Sequence, residues 1–373
     1  MHKLRSLSAA TLAELLSRWS ARLKSTGGRP SAPLGSRILL NPDDIFKHNM
    51  WDHVQWTEED KENACQKAKE NSSEQIPLKE QGKFDIEACQ YWDTFYETHQ
   101  DKFFKNRKWL FLEFPELLPS DAESQTRNTL TRQHEHISST DLLRHSSHHQ
   151  ESCKAADLEN NEGPIQSSAF PGQHTSFKIL EVGCGVGNSV FPILNSIKEK
   201  DAFLYCCDFS PRAIQLVKEH PDYDDSVCHA FVHNICEEVA SFPFPPQSLD
   251  VILAVFVLSS IHPERMQGVV NRLSTYLKHG GVFLFRDYGR YDFSQLRFKK
   301  GRCLSENFYT RGDGTCVYFF TKEEVHHLFS NAGLEEVQNL EDRRLQVNRG
   351  KKVAMHRVWM QSKYRKTHPS STS

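Results

Sequence analysis

The 373-residue chain lacks several features that would have fixed its chemistry at once. No apolar run approaches the ~18 residues a membrane-spanning helix needs, which excludes a helical span. Its ten cysteines contain no C-x-x-C, Cys206 and Cys207 are neighbours, and Cys184 lies in a glycine-rich stretch. That usage excludes a disulfide framework and belongs to a reducing compartment. No Gly-Lys-Ser/Thr follows the glycines, so a nucleotide-phosphate loop is excluded. Net charge is −2, so the overall balance names no partner.

The charge that is present is unevenly placed. Residues 1–42 carry seven Lys/Arg and one acid, Glu14, whereas 43–118 carry ten against seventeen acids. Residues 286–373 carry seventeen against ten. A basic C-terminal end on a near-neutral core suits a nucleic-acid partner, and equally a solvated mixed-charge surface. The first 28 residues hold Lys3, Arg5, Arg18, Arg22 and Lys24, frequent serines, and leucines largely on one helical face. This is the composition of a mitochondrial transit peptide, with a helix docked on its own domain as the alternative.

Residues 24–37 read as a Gly/Pro/Ser linker. Next come a turn at Asn41-Pro42-Asp43 and a charged helix reaching Glu70, with an aromatic stretch, His48-Asn49-Met50-Trp51-Asp52-His53-Val54-Gln55-Trp56. An amphipathic aromatic helix is expected over 83–99, followed by Phe103-Phe104-Lys105-Asn106-Arg107. Residues 120–170 are polar and read as a disordered insertion. Its histidines (His134, His136, His145, His148, His149) have neither cysteines nor a scaffold beside them, and no metal is expected. From Phe177 to about Gln361, strands are expected at 178–182, 203–207, 229–233, 249–256, 281–286, 315–320 and 353–361. Helices are expected at 188–199, 211–219, 264–278 and 322–332. That alternation predicts an α/β fold, a doubly wound and mainly parallel sheet, with an aromatic-rich helical extension before it.

The most informative stretch is Ile179-Leu180-Glu181-Val182-Gly183-Cys184-Gly185-Val186-Gly187-Asn188-Ser189. A buried strand breaks on glycines and restarts as a helix, which lets backbone approach a ligand. The G-x-G-x-G spacing differs from the G-x-G-x-x-G of dinucleotide enzymes. Asp208 ends the second strand, 25 residues after Gly183, where doubly wound folds hold ribose hydroxyls. Glu181 before the glycines and Asp208 after the second strand point to a nucleoside with a cationic tail, and S-adenosyl-L-methionine fits. An NAD fold or an ordinary tight turn remains open at this stage.

The order of motifs resembles class I S-adenosylmethionine-dependent methyltransferases and, more narrowly, the tRNA N3-methylcytidine methyltransferase family, the leader being most similar to its mitochondrial member. The carriers are His48-Asn49-Met50-Trp51-Asp52, Tyr91-Trp92-Asp93-Thr94-Phe95-Tyr96, Phe103-Phe104-Lys105-Asn106-Arg107 and Leu180-Glu181-Val182-Gly183-Cys184-Gly185. Further on stand Phe256-Val257-Leu258-Ser259-Ser260-Ile261-His262-Pro263, Phe285-Arg286-Asp287-Tyr288-Gly289, Glu306-Asn307-Phe308-Tyr309 and Arg311-Gly312-Asp313-Gly314-Thr315. The resemblance covers almost everything from about residue 35 except the polar insertion.

Composition and resemblance together give a transit peptide at 1–28, a lid region at 38–118, a disordered insertion at 119–172, a methyltransferase domain at 173–366 and a disordered tail at 367–373; the resemblance carries the lid region and the methyltransferase domain. It implies cofactor contacts at Trp92, Tyr96, Glu181, Gly183, Gly185, Asp208, Asn234, Ile235 and Val255, with Asn234 standing where most relatives have aspartate. For Trp92 and Tyr96, plain helix packing is the alternative. Arg286, Asp287 and Tyr288, placed after the fifth strand, are candidates to line the base pocket, with Asp287 accepting a proton. A mutual Arg286–Asp287 ion pair is the alternative. Arg107, Tyr309, Arg311, Arg349 and Arg357 are the implied RNA contacts, with core packing as the alternative for Tyr309.

The implied reaction is N3-methylation of cytidine at position 32 in the anticodon stem-loop of a subset of tRNAs, in the mitochondrial matrix. Without the leader the location would be cytoplasm or nucleus. An aminoacyl-tRNA synthetase is a candidate partner. A protein or small-molecule methyltransferase, or an inactive RNA-binding subunit, are the competing readings.

Overall fold

The computed structural model describes residues 37–107, 109–119 and 169–368. The expected leader, nearly all of the expected insertion and the end of the tail lie outside the described residues. Among these residues, no helix is long and apolar enough to cross a membrane.

Five strands form the parallel half of the main sheet: β2 (Phe177–Val182), β3 (Ala202–Asp208), β4 (Cys228–Val232), β5 (Leu249–Val255) and β6 (Leu277–Tyr288). Two long strands, β10 (Leu334–Asn348) and β11 (Val353–Lys366), and a short β1 (Met50–Trp51) complete it. The order is β1-β10-β11-β6-β5-β2-β3-β4. β11 runs antiparallel to β6 and pairs with β10 as a hairpin. This is the class I methyltransferase arrangement. The chain moves one way from β2 through β3 and β4, and the other way through β5 and β6, so a crevice opens beyond the ends of β2 and β5.

Strict alternation along the parallel strands makes two cores. Leu180, Val182, Tyr205, Ile252, Phe283 and Phe285 face one side, with helices α7 (Pro263–Tyr276) and α9 (Lys322–Ser330). Ile179, Leu204, Leu253 and Leu284 face the other, with α5 (Val190–Ile197), α6 (Pro211–Glu219) and Leu110, Phe114 and Leu117 of the N-terminal region. Strands buried on both faces need near-continuous apolar sequence, and these have it.

The N-terminal region departs from expectation in two ways. The aromatic stretch around Trp51 forms edge strand β1 on β10, and the helix starts only at Glu58. Thr57 and Asp60 close a reciprocal capping box there, which fixes the start of α1 (Glu58–Ser72). The expected 83–99 helix breaks at Glu87 into α2 (Leu78–Ile86) and α3 (Ala88–His99). A second sheet of β7 (Cys303–Ser305), β8 (Phe308–Thr310) and β9 (Cys316–Tyr318) lies beside α2: Gln81 Nε2 donates to Leu304 O at 2.7 Å. Short helices α4 (Leu110–Glu113) and α8 (Phe293–Leu296) connect these parts.

Candidate functional site

β2 stops at Val182, and Gly183, Gly185 and Gly187 follow with φ of +60°, +53° and +87°. Side chains rarely tolerate this backbone. Space forbids them as well: a Cβ on Gly183 would lie 2.3 Å from Val257 Cγ2, and one on Gly185 would lie 2.8 Å from Tyr96 Oη. The loop is therefore gripped from two directions, by the segment after β5 and by α3.

Asp208 at the end of β3 organises this loop. Its Oδ2 accepts from Gly185 N at 2.9 Å and its Oδ1 from Ser210 N at 3.0 Å. Burial pushes its carboxyl up to about 6, against the pull of those two backbone N–H groups. Ser210 caps α6 through Ala213 N and donates to Asp93 of α3, and Cys89 Sγ donates to Phe209 O at 3.2 Å. These contacts seat α3 over the strand ends.

Between loop and helix lies a cavity of about 350 Å³. Gly183 and Asp208 form its floor, and Asn234 and Ile235 one side. Phe256, Val257 and Ile261 form the other side. Trp92 and Tyr96, with ring centroids 5.8 Å apart and nearly parallel, form the roof. Asp85, Glu264, Arg265 and Phe308 stand around the remainder. Phe256 has φ +60° although it is not glycine, a strained conformation of the kind that clusters at functional sites.

Six of the nine expected cofactor residues line this cavity: Trp92, Tyr96, Gly183, Asp208, Asn234 and Ile235. Gly185 shapes the loop behind it, and Val255 is packed in the core at 2% exposure. Glu181 is buried under the loop, where burial raises its carboxyl to about 7 despite Arg107. Asn234 is already engaged: its Oδ1 accepts from Cys236 N at 3.0 Å and its Nδ2 donates to Glu237 at 3.2 Å.

The base-pocket residues need correction. Arg286 does not reach the cavity. Its guanidinium lies between Trp109 and Trp359, 4.9 Å from each ring, and bonds Asp342 at 2.7 Å. Adjacent strand residues face opposite sides, so Arg286 and Asp287 do not pair. Asp287 is fully buried and accepts from Ser259 N and Tyr288 N, at 3.0 and 2.8 Å. It pins the turn whose neighbours Val257, Ser260 and Ile261 line the cavity, and it is not itself among the lining residues. Tyr288 packs against Phe256 with the rings tilted and their centroids 4.9 Å apart, behind the lining.

The RNA contacts need a similar correction. Tyr309 is 1% exposed and stacked on Phe298, so it serves the core. Arg357 pairs with buried Asp292 at 2.8 Å, and Arg311 donates within its own turn to Thr315 and Cys316. Arg107 donates to Ser189 Oγ and faces Glu181. Arg349 alone of the five is exposed, at the β10–β11 turn. Arg107 and Arg357 face buried acids, and Arg311 is held by its own turn.

Sequence reading missed Phe256, Val257 and Asp93. All three stood inside motifs quoted for the resemblance, but a positive φ leaves no sequence signal on a phenylalanine. Among the described residues, no group of three or more His, Cys, Asp or Glu could hold a metal.

The cavity fits the expected cofactor. Asp208 presents a carboxylate where ribose hydroxyls would sit, the floor is bare backbone, and the roof is aromatic. A model of the family described as "Methyltransferase domain" matches residues 180–283. A tRNA N(3)-cytidine methyltransferase METTL2 of Danio rerio is 53% identical over 89% of this chain and 88% of its own length. METTL2B of Homo sapiens, of the same description, is 49% identical over 91% and 95%. The human tRNA N(3)-cytidine methyltransferase METTL8, mitochondrial, is 44% identical over 64% and 91%. Among solved structures, a SAM-dependent methyltransferase from Methanosarcina mazei overlays 51% of this chain and 93% of its own, with TM-score 0.39 and 16% identity.

Proposed function

This chain belongs to the tRNA N(3)-cytidine methyltransferases, and from that premise we propose that it methylates cytidine 32 in the anticodon loop of a subset of mitochondrial tRNAs. The carrying observation is the cavity between Gly183, Asp208 and the Trp92–Tyr96 roof. Its cofactor, S-adenosyl-L-methionine, supplies the methyl group from a sulfonium.

Cytosine N3 has a free lone pair, so no residue has to make the nucleophile. The work left to the protein is alignment and exclusion of water. Asp208 would hold the ribose and keep Gly185 in place. Gly183 lets backbone lie against the cofactor, and Trp92, Tyr96, Phe256 and Val257 close off solvent. Asp287 acts at one remove by fixing the Ser259 turn. N3 is hidden in a paired stem, so the target has to be unpaired or flipped, which favours a loop. Exposed Arg349, Lys351 and Lys352 at the hairpin tip suit phosphates.

The basic leader at 1–28 supports the mitochondrial location, as does the mitochondrial human relative METTL8. A synthetase that presents the tRNA belongs to the same proposal. Full-rate methylation of a bare transcript would remove it.

Transcripts carrying cytidine or uridine at position 32 test the position: label from the methyl-labelled cofactor should enter only the first. Equal labelling of both overturns the assignment to that nucleotide. Imaging of the chain with and without residues 1–28 tests the location. Unchanged distribution after deletion overturns it.

A further inference from the structure

Helix α2 is seated differently from its neighbour α3. Six of its nine residues are exposed, Leu78 and Ile86 almost fully, and none is buried. The other three, Gln81, Phe84 and Asp85, share one face, and all three line the cavity. An amphipathic helix ordinarily rests that face on a core. Here the face lies over the space expected for the cofactor, and Phe84 packs on Leu304, Phe308 and Cys316, which line the same cavity. No side chain caps α2 at either end, and Gly82 stands mid-helix with open space around its Cα. Both features lower the helix's own stability.

The chain on either side of α2 is fixed. Ile76 N donates to Cys303 O at 2.8 Å, and α3 buries Phe95 and Tyr96 and is pinned at Cys89 and Asp93. Across the cavity, Asp85 Oδ2 meets Arg265 Nη2 of α7 at 2.7 Å, at the end where Asn234, Ile235 and Cys236 form the wall. The two side chains are 34% and 49% exposed. An ion pair this open to water biases an equilibrium by only about two- to fivefold. A weak helix between two anchors, closed over a cavity by a weak bond, has the construction of a gate.

We propose that α2 is a lid that opens for cofactor exchange while α3 stays in place, and that Asp85–Arg265 is its latch. This rests on the assignment of S-adenosyl-L-methionine as cofactor. The latch sets how often the site is open, not what the ligand meets inside. Weakening it raises the rates of entry and exit by the same factor and leaves their ratio, the dissociation constant, where it was.

Stopped-flow association and displacement of S-adenosylhomocysteine on the full chain, read by tryptophan fluorescence, tests this. Asp85→Asn and Arg265→Gln should each speed both rates by about two- to fivefold, with the dissociation constant within about twofold of the native value. Asp85→Arg, which sets two cations face to face, should speed them further, and Asp85→Arg combined with Arg265→Asp should bring them back towards native. Added salt should speed exchange in the native chain and leave Asp85→Asn unchanged. Faster exit alone, with weaker binding, makes Asp85 a ligand contact and overturns the proposal. Unchanged rates in both single variants overturn it too, as does a reversed pair that stays as fast as Asp85→Arg. Should Asp85→Asn fail to fold, Arg265→Gln decides by the same criteria. If the native chain does not bind S-adenosylhomocysteine, the cofactor assignment falls first and this inference with it.

Discussion

The two halves of the sheet are held by different chemistry. The parallel half, β4-β3-β2-β5-β6, is apolar on both faces, and its few buried carboxylates sit at the strand ends around the cavity. Burial raises the carboxyls of Glu181, Asp208 and Asp287 to about 7, 6 and 6. The antiparallel half is laced with ions: Arg286 and Arg344 share Asp342, Arg344 also meets Glu113 and Asp52, and Lys363 meets Glu116. There burial pushes Asp342 up but the two arginines outweigh it and hold its carboxyl below the ordinary value. One half satisfies its buried carboxylates mainly with backbone N–H groups beside the site, and the other pairs them with cations that tie the N-terminal region down. A buried carboxylate raised by burial and not paired with a cation, as Asp208 is, is the better marker of a binding site here.

This contrast can be broken by substitution. Phe285→Ala in the parallel half empties a site packed against Phe320 and Phe329, at 5.6 and 5.4 Å, and should cost about 3–5 kcal/mol in urea unfolding. Asp208→Ala should leave the fold standing and weaken S-adenosylhomocysteine by about 2–3 kcal/mol in calorimetry, the scale of losing charge-assisted hydrogen bonds. Undiminished binding would remove Asp208 from the ribose. Arg286→Met, on β6 but paired with Asp342 of the antiparallel half, should cost only about 1–2 kcal/mol, less than a stranded buried charge, because Asp342 keeps Arg344 at 2.9 Å. Cofactor affinity should not move. A large loss of affinity with intact stability would return Arg286 to the site.

The smallest effect is expected at Asn234. Aspartate there gives the adenine amino group a charged acceptor, a gain on the order of 1 kcal/mol. It also sets a second carboxylate beside Glu237, whose oxygen Asn234 now supplies with a donor at 3.2 Å. Asn234→Asp alone should therefore change S-adenosylhomocysteine binding little, and Asn234→Asp with Glu237→Gln should tighten it. No tightening in the double variant would show that this strand end does not read the adenine.

The same contrast explains what could be read from sequence. β2 to β6 were legible because strands buried on both faces must be apolar, and the glycine loop because its backbone admits little else. β10 was not anticipated: Glu335, Glu336, Glu341, Asp342, Arg343 and Arg344 give it the hydropathy of a loop, and its strand character comes from pairing with β11. The cofactor side of the site was legible through Gly183 and Asp208, whose positions follow from the fold. On the base and RNA side, Arg286, Asp287, Tyr309 and Arg357 are engaged within the fold. Residue type and order cannot say which face of a strand points at the cavity, or which arginine already has an acid.

The central claim is that this cavity serves N3-methylation of a tRNA cytidine. Its most direct measurement is methyl transfer from labelled S-adenosyl-L-methionine to tRNA, followed by digestion to nucleosides, with the native chain and Asp208→Ala compared. The account predicts N3-methylcytidine from the native chain and essentially none from Asp208→Ala. Label in another nucleoside, label in protein, or equal product from both forms would contradict it.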